Sequence, residues 1–132
     1  MSHALYVVPM VLITVVVSFS QLLAGAVGTE TLGLMYEWQY DKLQHFVAGT
    51  ACGVFGVWCA AARRLRQQRL LLLCAAASAL FIGGMWEVYE HWYPEVNGGT
   101  HSYFSLDTQL DLLFDVLGGL YAAWCYRERS VT

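Results

Sequence analysis

Four apolar stretches, roughly 4–27, 43–62, 70–89 and 110–126, are each close to the ~20 helical residues needed to cross a bilayer core, in a chain of only 132 residues. The last is the shortest. Hydrophobic residues make up 58% of the chain and charged residues 13%, too little polar surface to clothe a soluble core of this size. The expected fold is therefore all-α: a single integral membrane domain over 1–132, a bundle of four transmembrane helices without linker, repeat or low-complexity tail.

Charge then orients the bundle. Nine of the ten carboxylates fall on one side of these spans and six of the seven basic residues on the other. Arg63, Arg64, Arg66 and Arg69 crowd the turn between the second and third stretches, and Arg127 and Arg129 follow the fourth. Short arginine-rich loops stay in the cytoplasm, which makes both termini cytoplasmic and turns Glu30, Glu37 and the loop 91–105 outward. The first stretch ends in Ala24-Gly25-Ala26 and so imitates a secretory signal. No positive charge precedes it, however, and its apolar run is longer than a signal's, so an uncleaved anchor is expected. The expected location is the bacterial cytoplasmic (inner) membrane, multi-pass, with the acidic side periplasmic.

No basic groove with interleaved aromatics is present, which argues against nucleic acid as a partner. Cys52, Cys59, Cys74 and Cys125 lie inside the spans with no C-x-x-C pair, and read as small packing residues rather than redox or metal groups. Gly49-x-x-x-Gly53, the alanines at 75–77 and Gly118-Gly119 are the small residues that let membrane helices approach closely. Trp38, Trp86, Trp92 and Tyr93 fit an interfacial aromatic belt, with Trp124 and Tyr126 on the opposite side.

The chemistry is concentrated in three strings at the outer ends of spans. They run from Tyr40 to Phe46 (YDKLQHF), from Trp86 to Trp92 (WEVYEHW), and from Leu106 to Asp111 (LDTQLD) continuing to Asp115. Helical spacing turns each string into a face. Asp41 pairs with His45, Glu87 with Glu90 and His91, and Asp107, Asp111 and Asp115 form one stripe. An intramembrane carboxylate costs about 2.5 to 3.5 kcal/mol even on the mild insertion scale, so it faces the bundle interior with a partner. Lys42 is the one basic side chain on this side, too few to balance the acids.

Asp41, His45, Glu87, Glu90, His91, Asp107, Asp111 and Asp115 are thus the expected metal ligands, with His45, Glu87 and Asp111 as the catalytic set. Carboxylate oxygens with imidazole suit Zn, Mg, Mn or Fe, although the E-x-x-E-H spacing departs from the paired E-x-x-H of di-iron bundles. Two other readings stand beside a metal site: a protonated or hydrogen-bonded network that only fixes helix packing, and an anion or substrate site organised by Lys42 and the histidines. Glu30, Glu37 and Glu95 read as solvated loop residues, His3 as a terminal residue without a role, and the Asn97-Gly98-Gly99-Thr100-His101-Ser102 turn as a possible lid. A Ser105, His45 and carboxylate triad lacks a nucleophile-elbow motif.

The ordered set D-K-x-x-H-F (Asp41 to Phe46), W-E-x-x-E (Trp86 to Glu90) and D-T-Q-x-D-x-x-x-x-x-x-G-G (Asp107 to Gly119) resembles the YjdF-like family of small bacterial membrane proteins of unknown function. More distantly it resembles the VanZ-like proteins. The resemblance covers roughly 40–121 and implies a role at the cell envelope, with Asp41, His45, Glu87, Asp107 and Asp111 on the family's polar positions. The VanZ-like pattern tends to carry glutamine after the glutamate and asparagine before the glycine, where this chain has Glu90 and Asp115, a more acidic site.

Between the polar strings the spans hold no ionisable group besides Cys and Tyr, so a transporter's midplane relay is absent. Two functions remain open from sequence. One is a metal-dependent enzyme, a hydrolase or transferase, acting on membrane lipid or an outer-leaflet, lipid-linked anionic substrate. The other is a non-catalytic subunit whose polar cluster holds the bundle together while it docks a larger membrane complex.

Overall fold

The structure is a computed structural model, and the residues it describes are 40–93 and 105–129 together with Val11, Thr14 and Val15. They form three helices: α1 (Tyr40–Ala62), α2 (Gln68–Trp92) and α3 (Leu106–Arg129). No strand occurs among the described residues. The first expected span, Glu30, Glu37, Glu95, His3, Trp38 and the possible lid around His101 lie outside the described residues.

At ~1.5 Å per residue, helices of 23 to 25 residues are longer than the ~30 Å hydrocarbon core. Asp41–Ala62 and Gln68–Trp92 are both long and apolar enough to cross a membrane. The third helix is equally long, but Asp107, Asp111 and Asp115 in its first three turns dilute its hydropathy.

Each helix outruns the apolar stretch that announced it, because backbone hydrogen bonding continues through polar residues. Thus α1 starts at Tyr40 rather than 43, and α3 starts at Leu106 rather than 110. The early start of α3 has a local cause in Ser105, whose Oγ accepts the Thr108 amide at 3.1 Å, the N-cap bond to the third helical residue. At the other end of the bundle α1 closes in a tight reversal. Arg64 takes a left-handed φ of 60°, Arg64 N donates to Ala61 O at 2.9 Å, and Leu65 N donates to Ala60 O at 3.0 Å. This is the paired-bond C-terminal motif in which glycine usually stands.

Side chains are distributed the opposite way from a soluble bundle. Small residues are inside, Ala79 being 0% exposed, while Phe81 on the same helix is 71% exposed. Leu73, Met85, Leu113 and Trp124 also face outward, the arrangement expected where lipid rather than water surrounds the helices. Glycines bring α1 against α3: a Cβ on Gly49 would overlap the Asp115 backbone, and one on Gly53 would lie 2.5 Å from Gly119 Cα. The apolar core of Val54, Val57, Ala75, Ala122 and Ala123 fills the end of the bundle near the arginine turn. The polar strings occupy the other end. Trp86, Tyr89 and Tyr93 stack there with ring centroids 5.4 and 4.9 Å apart and stay exposed, as an aromatic belt would.

Candidate functional site

Helix α1 contributes Asp41, Lys42 and His45, α2 contributes Glu87 and Glu90, and α3 contributes Asp107, Asp111 and Asp115. Lys42, His45, Asp111 and Asp115 are buried, the two aspartates at 3% and 2% exposure. Such burial is tolerable only with paired charges, and the pairing has two halves.

The first half centres on Lys42. Its Nζ donates to Asp107 Oδ1 at 2.5 Å, Asp111 Oδ1 at 2.5 Å and Asp41 Oδ2 at 3.0 Å, so all three ammonium hydrogens have a carboxylate acceptor. From sequence Lys42 is either an insufficient counter-charge or, with the histidines, the organiser of an anion site. Here it is the hub that joins the first turn of α1 to the aspartate stripe of α3.

The second half centres on His45. Its Nδ1 lies 3.2 Å from Asp115 Oδ2, deep in the bundle. Asp115 reaches this position because α2 has glycine opposite it: a Cβ on Gly83 would overlap the Asp115 carboxylate. The other ring nitrogen, Nε2, faces Asp41 Oδ1 at 3.7 Å, Asp111 Oδ1 at 3.7 Å and Glu87 Oε1 at 3.9 Å. These separations exceed hydrogen-bonding distance. Glu87 Oε1 is fully buried and has no hydrogen-bond partner.

Those distances bear on metal binding. Ligand atoms of Asp41, His45 and Asp111 all lie within 4.8 Å of one another. Tetrahedral ligands about 2.1 Å from a zinc-like ion sit about 3.4 Å apart, only slightly closer than the 3.7 to 3.9 Å seen around His45 Nε2. The donor set, one imidazole with carboxylates, fits Zn, Mn or Fe, and the orphaned Glu87 oxygen is an acceptor awaiting a partner. The same geometry divides the expected ligands. Lys42 engages Asp107 as it does Asp111, but Asp107 is not among the carboxylates facing Nε2, and Asp115 holds the back of the imidazole. Glu90 accepts the Trp86 indole N–H at 2.8 Å, and His91 is half-buried in the last turn of α2, one turn beyond Glu87. The group with mutual ligand spacing, Asp41, His45 and Asp111, contains none of these four and does not include Glu87.

A pocket of about 160 Å³ opens beside the imidazole between α1 and α2. Asp41, His45, Glu90 and Asp115 form its polar end, and Ala48, Cys52, Ile82 and Trp86 its apolar wall. The hub role of Lys42 and the Gly83 slot were the parts of the site missed from sequence. Spacing alone does not show one lysine meeting three carboxylates, and a glycine pair in a membrane helix reads as generic packing. All four cysteines are free and half-buried.

Helices with apolar exteriors closed over a buried carboxylate, histidine and lysine centre define a helical membrane protein with an internal polar site. The chain belongs to the DUF2238 family, described as predicted membrane proteins, whose model matches residues 3–130. No curated protein and no solved structure matches it. Family membership brings a membrane setting and no reaction, and does not extend to the YjdF-like or VanZ-like resemblance of the motifs.

Proposed function

We propose that the centre around His45 binds a divalent cation through His45 Nε2, Asp41, Glu87 and Asp111, in a cell-envelope protein that acts on a lipid or lipid-linked molecule at the outer face of the inner membrane. The carrying observation is that Nε2 meets three carboxylate oxygens at 3.7 to 3.9 Å, one of them buried and unpartnered. Nε2 and these oxygens are too far apart to hydrogen-bond, and Asp41, His45 and Asp111 offer ligand atoms within 4.8 Å of one another, a spacing that supports an ion between them with Glu87 beside it. The setting is a four-span bundle with cytoplasmic termini, on the arginine asymmetry, and an envelope role of the kind the YjdF-like and VanZ-like resemblances imply.

When bound, such an ion supplies a Lewis acid that polarises an ester or phosphoryl oxygen and lowers the pKa of water. The chain's own groups have separate tasks. Asp115 orients the imidazole through Nδ1, Lys42 holds Asp111 and Asp41 in place, and the pocket admits a substrate from the lipid side. Glu87 Oε1, buried and without a hydrogen-bond partner, completes the set of oxygens facing Nε2.

A second reading has its own support. The three ion pairs of Lys42 fasten α1 to α3, which is what a purely structural network in a subunit of a larger membrane complex would do. Cobalt(II) added to purified protein separates the two. The first reading expects a visible ligand-field spectrum at one equivalent that disappears in His45→Ala. The second expects no spectrum, and a His45→Ala protein that is less stable.

A further inference from the structure

The pocket beside His45 carries information about the head group it takes. It lies between α1 and α2 and, well below the roughly 300 Å³ or more of a drug-sized ligand pocket, its cavity measures about 160 Å³. That is the size of a small head group with one or two methylenes. Ile82 and Trp86 line the pocket and are also exposed on α2, an apolar helix long enough to cross a membrane, so a ligand there is an amphiphile reached from the membrane.

Charge selects the head. No lysine or arginine lines the pocket, and the one nearby ammonium, Lys42, is spent on Asp41, Asp107 and Asp111. The centre gathers six carboxylates, Asp41, Glu87, Glu90, Asp107, Asp111 and Asp115. Lys42 together with one bound divalent ion would still leave three formal negative charges, in surroundings where charges are poorly screened. Glu87 Oε1 adds a buried acceptor without a donor. An anionic head, expected from sequence, would enter against that field. A cation would enter with it, and Trp86, held by its indole N–H on Glu90, puts an aromatic ring beside a carboxylate in the pocket wall, a pairing that favours ammonium groups.

We propose that this pocket binds an amphiphile with a cationic head, an alkylamine or quaternary ammonium, the head lodged among Asp41, Glu90, Asp115 and Trp86 and the first methylenes against Ala48, Cys52 and Ile82. The inference rests on the membrane-amphiphile half of the proposed function and is independent of the ion.

Cys52 in the apolar wall provides a local reporter. Protein with Cys59, Cys74 and Cys125 changed to alanine, held in dodecyl maltoside, is treated with N-ethylmaleimide, alone or with dodecyltrimethylammonium or dodecyl phosphate. The ammonium should slow Cys52 modification at least fivefold and the phosphate should leave it unchanged. Glu90→Gln and Trp86→Leu should each remove most of that protection while the uninhibited rate persists. Equal protection by both amphiphiles, protection by the phosphate alone, no protection, or a Cys52 that is inert without any amphiphile would overturn the assignment. Repeating the series with chelator separates the two readings. Protection that survives chelation upholds the cationic pocket even if no ion is bound, and a stoichiometric ion without protection by ammonium sinks the pocket assignment alone.

Discussion

His45 Nδ1 lies 3.2 Å from Asp115 Oδ2, and this one contact sets the direction in which the rest of the imidazole works. With Nδ1 held in the bundle interior, Nε2 must face Asp41, Glu87 and Asp111. A carboxylate behind a ligating histidine fixes its tautomer and raises its basicity, and its loss typically weakens metal binding about 10- to 100-fold. Asp115→Asn should lower cation affinity within that range in a competition titration while the protein stays folded. Gly83→Ala should reproduce the defect without altering any ligand, because the new methyl would overlap the Asp115 carboxylate. Unchanged affinity in both variants would remove Asp115 from this role.

Lys42 is the stability counterpart. Removing one partner of a buried ion pair leaves an uncompensated charge and costs about 3 to 5 kcal/mol. Lys42→Met should therefore destabilise the protein by an amount in that range, read from unfolding in mixed micelles. Adding Asp111→Asn to Lys42→Met should recover part of the loss, since the two side chains lie 2.5 Å apart. Strictly additive losses would mean the two are not energetically coupled.

Helix approach gives a paired test on glycine. A methyl on Gly49 would overlap the Asp115 backbone, whereas one on Gly84 would meet nothing within 4 Å. Gly49→Ala should destabilise by at least about 2 kcal/mol, in the range of overpacking a tight core. Gly84→Ala should be neutral or stabilising by up to about 1 kcal/mol from helix propensity. The same melting experiment reads both.

Orientation is tested by labelling. Single cysteines at Gln67 and Gly99, in a background without native cysteine, should differ in reaction with an impermeant thiol reagent on intact cells, position 99 reacting and position 67 not. Labelling of position 67 from outside would reverse the proposed membrane sidedness and place the site in the cytoplasm.

Much of the architecture was legible from residue spacing. The i, i+4 relation of Asp41 to His45 and the Asp107, Asp111 and Asp115 stripe implied faces that meet, and α1 and α3 do bring Asp41, His45 and Asp111 within ligand reach. Hydropathy located the apolar stretches of α1 and α2, and helical spacing of the polar strings carried the helices on through 40–42 and 90–92, as observed. Spacing could not divide the labour inside the cluster. Whether a carboxylate faces Lys42, His45 Nδ1 or His45 Nε2 depends on helix rotation and on how closely Gly49 and Gly83 let the backbones approach. For the same reason three of the eight expected ligands, Asp41, His45 and Asp111, share mutual ligand spacing, Glu87 Oε1 lies 3.9 Å from Nε2, and the other four have other positions.

The central claim, that the carboxylates around His45 Nε2 hold a cation, is met most directly by elemental analysis of protein purified from membranes without chelator, alongside His45→Ala and Glu87→Gln. About one divalent ion per wild-type chain is expected, with each variant depleted and the wild type losing thermal stability when the ion is stripped. Metal-free wild-type protein that is fully stable and indifferent to added divalent ions would contradict the claim.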